Sequence, residues 1–331
     1  MKRYGYLFEE ICSFENLVKA AKKAQKGKRF KDSTSEFNLK LEDELLTIQE
    51  QLRQKTYQVG QYKHFYIFDP KKRLISALPY RDRVVQHALC NVIEPIFDRA
   101  FIPASYACRK NKGSHKAVSL FSGFCRSNSY VLKCDIKSYF ASIDHDLLYD
   151  LVAKKIKDSQ TLWLIRLIIN STPNPGIPIG NLTSQVFANL YLNAIDHSLK
   201  EKIKCRHYIR YMDDLVVFSS ERDKLVNTRD FIAACFASLK LKMHPRKCKI
   251  YETRKGVKFL GYMTYPTHRL VILSNVRRFK RRMARLILLS RQGLITLKRI
   301  TCSIHSWLGY AKHANSYNMR RRIFAEMKIT G

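Results

Sequence analysis

Acid is what this sequence has least of. Its 331 residues carry 27 Asp and Glu against 61 Lys and Arg, a formal net charge of +34. From Thr253 to Gly331 there are 18 Lys or Arg and one acid, Glu326. A net charge of magnitude about 2–8 keeps a small domain soluble. The larger excess implies a polyanionic partner, either nucleic acid or an anionic membrane surface. Long apolar runs are also lacking: nothing approaches the roughly 18 residues of a membrane span. The opening MKRYGYLFEE has no apolar core of a secretory signal. Both absences favour nucleic acid over a membrane and a cytoplasmic location. The nine cysteines form no CxxC pair and no zinc-spaced Cys/His cluster, and read as reduced thiols. Repeats and low-complexity segments are absent, while 46% hydrophobic residues argue against disorder and supply at least one sizeable core.

Apolar spacing at Leu41, Leu45, Ile48 and Leu52 predicts an amphipathic helix over SEFNLKLEDELLTIQEQLRQKTY. Upstream, the basic KKAQKGKRFKDSTS reads as a loop or mobile arm. HFYIFDPKKRLISAL reads as two strands around a basic turn, Asp69 to Arg73. RDRVVQHALCNVIEPIF follows as a helix, and the loop RKNKGSHKAV leads to another. VLKCD is a buried strand ending at Asp135. One long helix is expected from about His145 to Ile169, broken by STPNPGIPIG. LTSQVFANLYLNAIDHSLK is helical, HYIRYMDDLVVFS a hairpin, and RDKLVNTRDFIAACFASLKL a helix. A strand at Lys249 to Tyr251, one short strand in VKFLGYMTY and a basic helical tail from about Ser274 complete the chain. The pattern is α+β, a sheet with helices on one face.

Two apolar strands end in aspartate: VLKCD at Asp135, and YMDD at Asp213 and Asp214. In a regular strand neighbouring side chains point to opposite faces. A tight hairpin breaks that alternation and lets Asp213 share the edge Asp135 reaches. Each aspartate alone is also an ordinary turn residue. Converging carboxylates repel and need a counter-charge. Mg²⁺ binds through one or two of them and then takes phosphate oxygens. Two such ions about 3.5–4 Å apart serve in-line phosphoryl displacement. In a basic trough this points to a nucleic-acid polymerase or nuclease.

YMDD in a hairpin resembles the catalytic turn of reverse transcriptases, and other motifs join it in that family's order. DIKSYFASID resembles the first aspartate motif and GIPIGNLTSQVFANLYL the template-primer motif. LKMHPRKC resembles the lysine-bearing motif and FLGY the primer grip. KKRLISALPYRDRVVQHAL and RKNKGSHKAV resemble finger motifs of group II intron-type enzymes. The resemblance covers about residues 45 to 315. Within IGNLTSQ, Ile179-Gly180 and Ser184-Gln185 resemble the pattern of diversity-generating retroelements, where most reverse transcriptases carry Gln-Gly and Ser-Pro. Compactness, with no room for an RNase H or endonuclease domain, is similar too.

The resemblance implies a right-hand polymerase. Residues 1–44 would form an N-terminal basic helical extension and 45–125 the fingers. Residues 126–265 would form a palm with an antiparallel sheet, and 266–331 a basic helical thumb. Asp135 and Asp213 would hold two Mg²⁺ ions (Mn²⁺ as substitute), assisted by Asp214 and the Ile136 carbonyl. Lys247 would protonate the leaving pyrophosphate, with Lys249 close by as the alternative. Phe140 would be a steric gate for deoxynucleotides, or a core aromatic. Lys72 and Arg73 would hold the dNTP triphosphate, or be a solvated charge run. Arg81 and Arg83 are weaker candidates, which a helix start also explains. His115 is structural or template-contacting. Ile179, Gly180, Ser184 and Gln185 would border the nucleotide, and Ile179 would loosen base selection or simply pack. NVRRFKRRMARLILLSR would lie on the template-primer backbone, with Phe279, Met283 and Leu286 on its inner side. The implied function is error-prone cDNA synthesis from a retroelement template RNA, for mutagenic retrohoming. A small basic helical accessory protein, oligomeric, would be the partner in a bacterial or phage-encoded system. The rivals are a retron or group II intron-type enzyme. NAIDH matches a retron string but lies after the template-primer motif, and no VTG triplet occurs; a maturase would need a longer tail. A non-catalytic RNA chaperone on a polymerase scaffold is the rival of another class.

Overall fold

The computed structural model describes residues 2–68 and 71–327. Four helices open the chain: α1 Phe8–Cys12, α2 Phe14–Ala24, α3 Asp32–Leu39 and α4 Leu41–Arg53. Leu17, Ala20, Ala21 and Ala24 fall at helical spacing on one face of α2 and pack against α5, Tyr80–Asp98. The expected loop therefore shrinks to the turns between α2 and α3. The expected amphipathic helix is interrupted at Lys40, because α3 faces α5 while α4 faces α1 and α2. A single straight helix cannot meet both partners.

β1, Lys63–Ile67, and β2, Arg73–Ala77, form an antiparallel hairpin with Phe65 opposite Ile75. Of the basic turn expected between them, Asp69 and Pro70 lie outside the described residues. The Ser76 N–H anchors the hairpin by donating to the Ile179 carbonyl at 2.9 Å. Asn181 Nδ2 also donates to Tyr62 Oη at 2.9 Å. α6, Ser114–Ser127, follows Gly113, whose φ of 101° suits glycine.

The central sheet gathers β3 Tyr130–Cys134, β4 His207–Tyr211, β5 Asp214–Ser219 and β6 Lys249–Glu252 in the order β4-β5-β3-β6, all antiparallel. Between β3 and β4 run α7 His145–Ala153, α8 Ser159–Ile169, α9 Leu182–Tyr191 and α10 Asn193–Glu201, and α11 Arg222–Ser238 joins β5 to β6. The one long helix expected over 145–169 is two. Asp158 ends the connection as the N-cap of α8, accepting from the Gln160 and Thr161 N–H groups. Its second oxygen accepts from the Leu7 and Phe8 N–H groups, so the chain's start is pinned there.

Both faces of the sheet are covered, which corrects the expectation of helices on one face. Leu132, Leu215 and Val217 enter the larger core with α11. Val131, Val216 and Phe218 enter a second core with α6 and the C-terminal elements. The unbroken apolar run LVVF of β5 reflects this double burial. Three short strands, β7 Val257–Phe259, β8 Tyr262–Thr264 and β9 Arg269–Val271, form a separate sheet where one strand was expected. Leu260 and Gly261, both at positive φ, turn β7 into β8. The chain ends in α12 Leu273–Arg291, α13 Leu297–Ala311 and α14 Tyr317–Glu326. The Phe279 ring stacks on Trp307 with centroids 4.0 Å apart. The expected α+β class holds. Among the described residues no helix is long and apolar enough to cross a membrane.

Candidate active site

Pairing of Tyr211 with Asp214 leaves Met212 and Asp213 as a two-residue turn. Met212 sits in the left-handed region at φ 57°, a conformation a non-glycine side chain disfavours. β5 then pairs with β3 so that Leu215 stands opposite Cys134. The next residue of β3's course, Asp135, therefore meets the start of β5, and the three aspartates share one edge of the sheet. Burial is the main cause that pushes the Asp213 carboxyl up to about 6, with the Asp214 and Asp135 charges adding to it and Lys247 opposing. Burial, and then Asp135, likewise raise Asp214, against Lys133, Lys247 and Lys71.

Lys247 reaches this edge next to a change of register. Lys133 pairs with Lys249, a register that continued sets Lys247 opposite Asp135, whereas Ile136 bridges Met243, so the second strand carries three extra residues between these pairings. Lys247 Nζ donates to Asp135 Oδ2 at 2.6 Å. Lys249 lies in the β6 ladder opposite Lys133, so of the two lysines left open by the sequence, Lys247 stands at the carboxylates. The Cys134 and Cys248 sulfurs lie 3.0 Å apart between the same two segments. His244 N–H donates to the Asp135 carbonyl and Lys137 N–H to the Lys242 carbonyl. By strand alternation the Ile136 carbonyl points the other way, toward β5.

Among the described residues no three His, Cys, Asp or Glu side chains enclose a metal site by themselves. The donor set nevertheless fits a divalent ion that takes its remaining oxygens from a substrate. Hard carboxylates converge, lysines and a backbone N–H offset their repulsion in part, and Mg²⁺ ordinarily uses one or two carboxylates with phosphates and water.

Phe140 follows Asp135 in a short turn, half-buried, its carbonyl accepting from the Ile177 N–H. The neighbouring Tyr139 ring, edge-on at 5.6 Å, is fixed by a bond to the Ala188 carbonyl. Ile179 is 36% exposed. A Cβ at Gly180, where φ is 131°, would meet the Ser76 carbonyl at 2.8 Å, so β2 can pass only a glycine here. Ser184 is buried and Gln185 exposed, so the pair divides between the core and the surface of α9. Lys72 and Arg73 also part. Strand alternation puts Arg73 on the face of Ile75, beside Gly180, whereas Lys72 Nζ sits 4.3 Å over the Tyr66 ring on the other face. Arg73 thus lies on the Gly180 side of the hairpin and Lys72 on the opposite side, and Lys71 is the lysine of this turn whose charge reaches Asp214. Arg81 donates to Gln51 and Arg83 to the Pro79 carbonyl, so both serve the start of α5. The His115 ring lies tilted against His313 with centroids 3.7 Å apart, a contact between α6 and the turn after α13.

Sequence reading missed what holds the turn. Arg210, fully buried, donates to both Asp196 oxygens, to Asn189 Oδ1 and to the Met212 carbonyl at 3.1 Å. Tyr208 Oη also donates to Asp196 at 2.7 Å. Burial works to lower Arg210, yet the Asp196 charge and bonds hold it above the ordinary guanidinium. The available signal was a charged residue inside the apolar strand HYIRY.

Three carboxylates and a lysine at one edge of an antiparallel sheet, in a chain of net charge +34, form a site suited to phosphoryl transfer on a polyanion. Residues 63–264 match the family model described as reverse transcriptase (RNA-dependent DNA polymerase), more than half of the chain, and the chain belongs to that family. The enzyme class expected from the sequence, an RNA-directed DNA polymerase, is the class of this family, which implies a divalent metal and an RNA template. Protein YkfC of Escherichia coli is 26% identical over 269 residues, 66% of this chain and 70% of its own length. The group II intron-encoded protein LtrA of Lactococcus lactis is 26% identical over 167 residues, 47% of this chain and 28% of its own. An uncharacterized 91 kDa protein in the cob intron of Schizosaccharomyces pombe is 34% identical over 139 residues, 39% of this chain, which thus spans only 17% of that protein. In fold, the chain is similar to a telomerase from Candida albicans solved with a fragment of telomeric RNA. The TM-score is 0.50 at 10% identity, over 69% of this chain and 51% of that one.

Proposed function

We propose that the chain copies RNA into DNA at the edge shared by Asp135, Asp213 and Asp214. The convergence of these carboxylates with Lys247 carries the reading. The central sheet is then the palm, the β1–β2 hairpin with its helices the fingers, and α12 to α14 the thumb. Asp135 and Asp213, with Asp214 and the Ile136 carbonyl beside them, would hold divalent ions. Mg²⁺ there, or Mn²⁺ in its place, would supply charge neutralisation at the attacking and leaving oxygens. Lys247 gives its proton to the departing pyrophosphate, Arg73 grips the triphosphate, and Phe140 crowds a 2′-hydroxyl. Primer extension on an RNA template with dNTPs and Mg²⁺ tests this. Extension by the wild type and none by Asp135→Asn is the expected result. No extension even with the cognate RNA and partner supplied would favour a non-catalytic RNA chaperone.

The finer reading is the polymerase of a diversity-generating retroelement, cytoplasmic and bacterial or phage-encoded. It would copy its template RNA with errors at adenines, beside a small basic accessory protein. Ile179 supports it: isoleucine has no donor or acceptor to orient a base, and a net hydrogen bond is worth roughly 0.5–1.5 kcal/mol. Ile179→Gln should therefore lower misincorporation opposite adenine a few-fold to about tenfold. Equal error rates would leave the group II intron-type reading, which the likeness to LtrA favours.

A further inference from the structure

Along β1 and its flanks, rings occupy alternate positions: Tyr62, His64, Tyr66 and Phe68. A strand sends alternate side chains to one face, about 6.6 Å apart. The centroids stand 6.2 Å apart for Tyr62–His64 and 6.3 Å for Tyr66–Phe68. Ser76 and Lys72 share this face, the first bonded to His64 Nδ1 and the second over the Tyr66 ring. The other face carries Ile75 and Arg73 toward Gly180, so the ladder looks away from the nucleotide side.

Tyr62 is half-buried at the foot of the ladder, bonded to Ser171 and Asn181, while His64 is exposed, Tyr66 is 52% and Phe68 71% exposed. Grouped exposed rings mark an interaction surface. The charge identifies the partner. The described residues 62–68 and 71–77 include Lys63, Lys71, Lys72 and Arg73 and no acid. Rings interleaved with cations are what an unpaired nucleic-acid strand requires, because bases stack on the rings while cations meet phosphates. The place also fits. The ladder begins at Tyr62, which is bonded to Asn181 beside Ile179 and Gly180, and leads outward along the hairpin.

We infer that this face of the hairpin stacks the unpaired bases of the RNA template before they are copied, with Lys72 on the backbone. The inference rests on the polymerase reading for its direction, but its test needs no catalysis. Binding of RNA–DNA hybrids is measured without nucleotides, with a short single-stranded 5′ template overhang or with blunt ends. Tyr66→Ala/Phe68→Ala should weaken binding of the overhang hybrid roughly tenfold, the scale of base–aromatic stacking, and leave the blunt hybrid unchanged. Tyr66→Phe/Phe68→Tyr should bind as wild type does. An abasic overhang, which keeps every phosphate, should weaken wild type to the level of the alanine variant. Equal loss on both hybrids, or a wild type indifferent to abasic substitution, overturns the inference. A chain that shows the expected overhang preference but never extends a primer would sink the polymerase reading alone. An active polymerase indifferent to the overhang would sink the ladder alone.

Discussion

Lys247 Nζ stands 2.6 Å from Asp135 Oδ2, although 112 residues separate them in sequence. The ammonium is 42% exposed and the carboxylate 19%, so the pair sits at the mouth of the carboxylate edge. The register that pairs Lys133 with Lys249, continued by two residues, sets Lys247 opposite Asp135, and the ladder shifts only beyond them, where Ile136 bridges Met243. Position sets Lys247 at the carboxylates, where the proposed mechanism uses it as proton donor, and leaves Lys249 in the ladder opposite Lys133.

Lys247→Ala should lower kcat about 10²–10⁴-fold, the ordinary worth of a general acid, with KM for dNTP little changed. Lys249→Ala should change neither by more than a few-fold. Single-turnover primer extension measures both. Equal losses in the two variants would mean that the local charge matters and the identity of the donor does not.

Asp213→Asn should abolish extension yet stabilise the metal-free protein. The folded carboxyl titrates near 6 and an unfolded aspartate near 3.9. The folded state thus holds this proton more tightly. Its stabilising effect is full below the unfolded value and lost as pH rises through the folded one. Above that, ionised Asp213 is desolvated beside two like charges. The variant's gain in Tm should be larger at about pH 8 than at about pH 5, on the order of 1–2 °C per kcal/mol. Added Mg²⁺ should raise the Tm of wild type and not of the variant. Thermal unfolding with and without the ion decides; an equal gain at both pH values contradicts it.

Arg210→Met leaves Asp196 charged and fully buried, and should destabilise the fold by about 3–5 kcal/mol. Arg210→Met/Asp196→Leu removes both charges and should recover much of that loss, since buried pairs replaced by apolar residues are often neutral. The double variant still lacks the donor to the Met212 carbonyl. Its kcat should stay low while denaturant unfolding looks near normal, which separates positioning of the turn from support of the fold. Recovery of both together would make Arg210 purely structural.

The sequence disclosed the parts that alternate or repeat. HYIRYMDDLVVFS was legible as a hairpin because two apolar runs flank a polar turn, and the order of motifs marked Asp135, Asp213 and Lys247. Facing was not legible. Lys72 and Arg73 are neighbours in a basic run, and only the register of β1 on β2 sends them to opposite faces. Asp196 stands 14 residues from Arg210 and reads as an ordinary helix acid until the sheet buries both. The break between α7 and α8 depends on Leu7 and Phe8, about 150 residues upstream, donating to Asp158. No local pattern reports such a partner.

On α12, Arg277, Arg281 and Arg285 recur every four residues and are exposed, while Val276, Phe279 and Met283 are buried. A stripe of this kind offers phosphate contacts that are indifferent to sequence. Each contact with a B-form duplex contributes about 0.9 to the slope of log K against log salt, and less with other forms. Replacing the three arginines by Gln should make that slope shallower by roughly 2–3 for a primer-template hybrid. Affinity should fall most at low salt, and kcat at saturating substrate should hardly move. Lys280→Gln, whose ammonium is paired with Glu326, should change the slope far less. Titrations by fluorescence anisotropy over a range of KCl measure it. An unchanged slope in the triple variant would remove α12 from the nucleic-acid path and send the excess charge elsewhere.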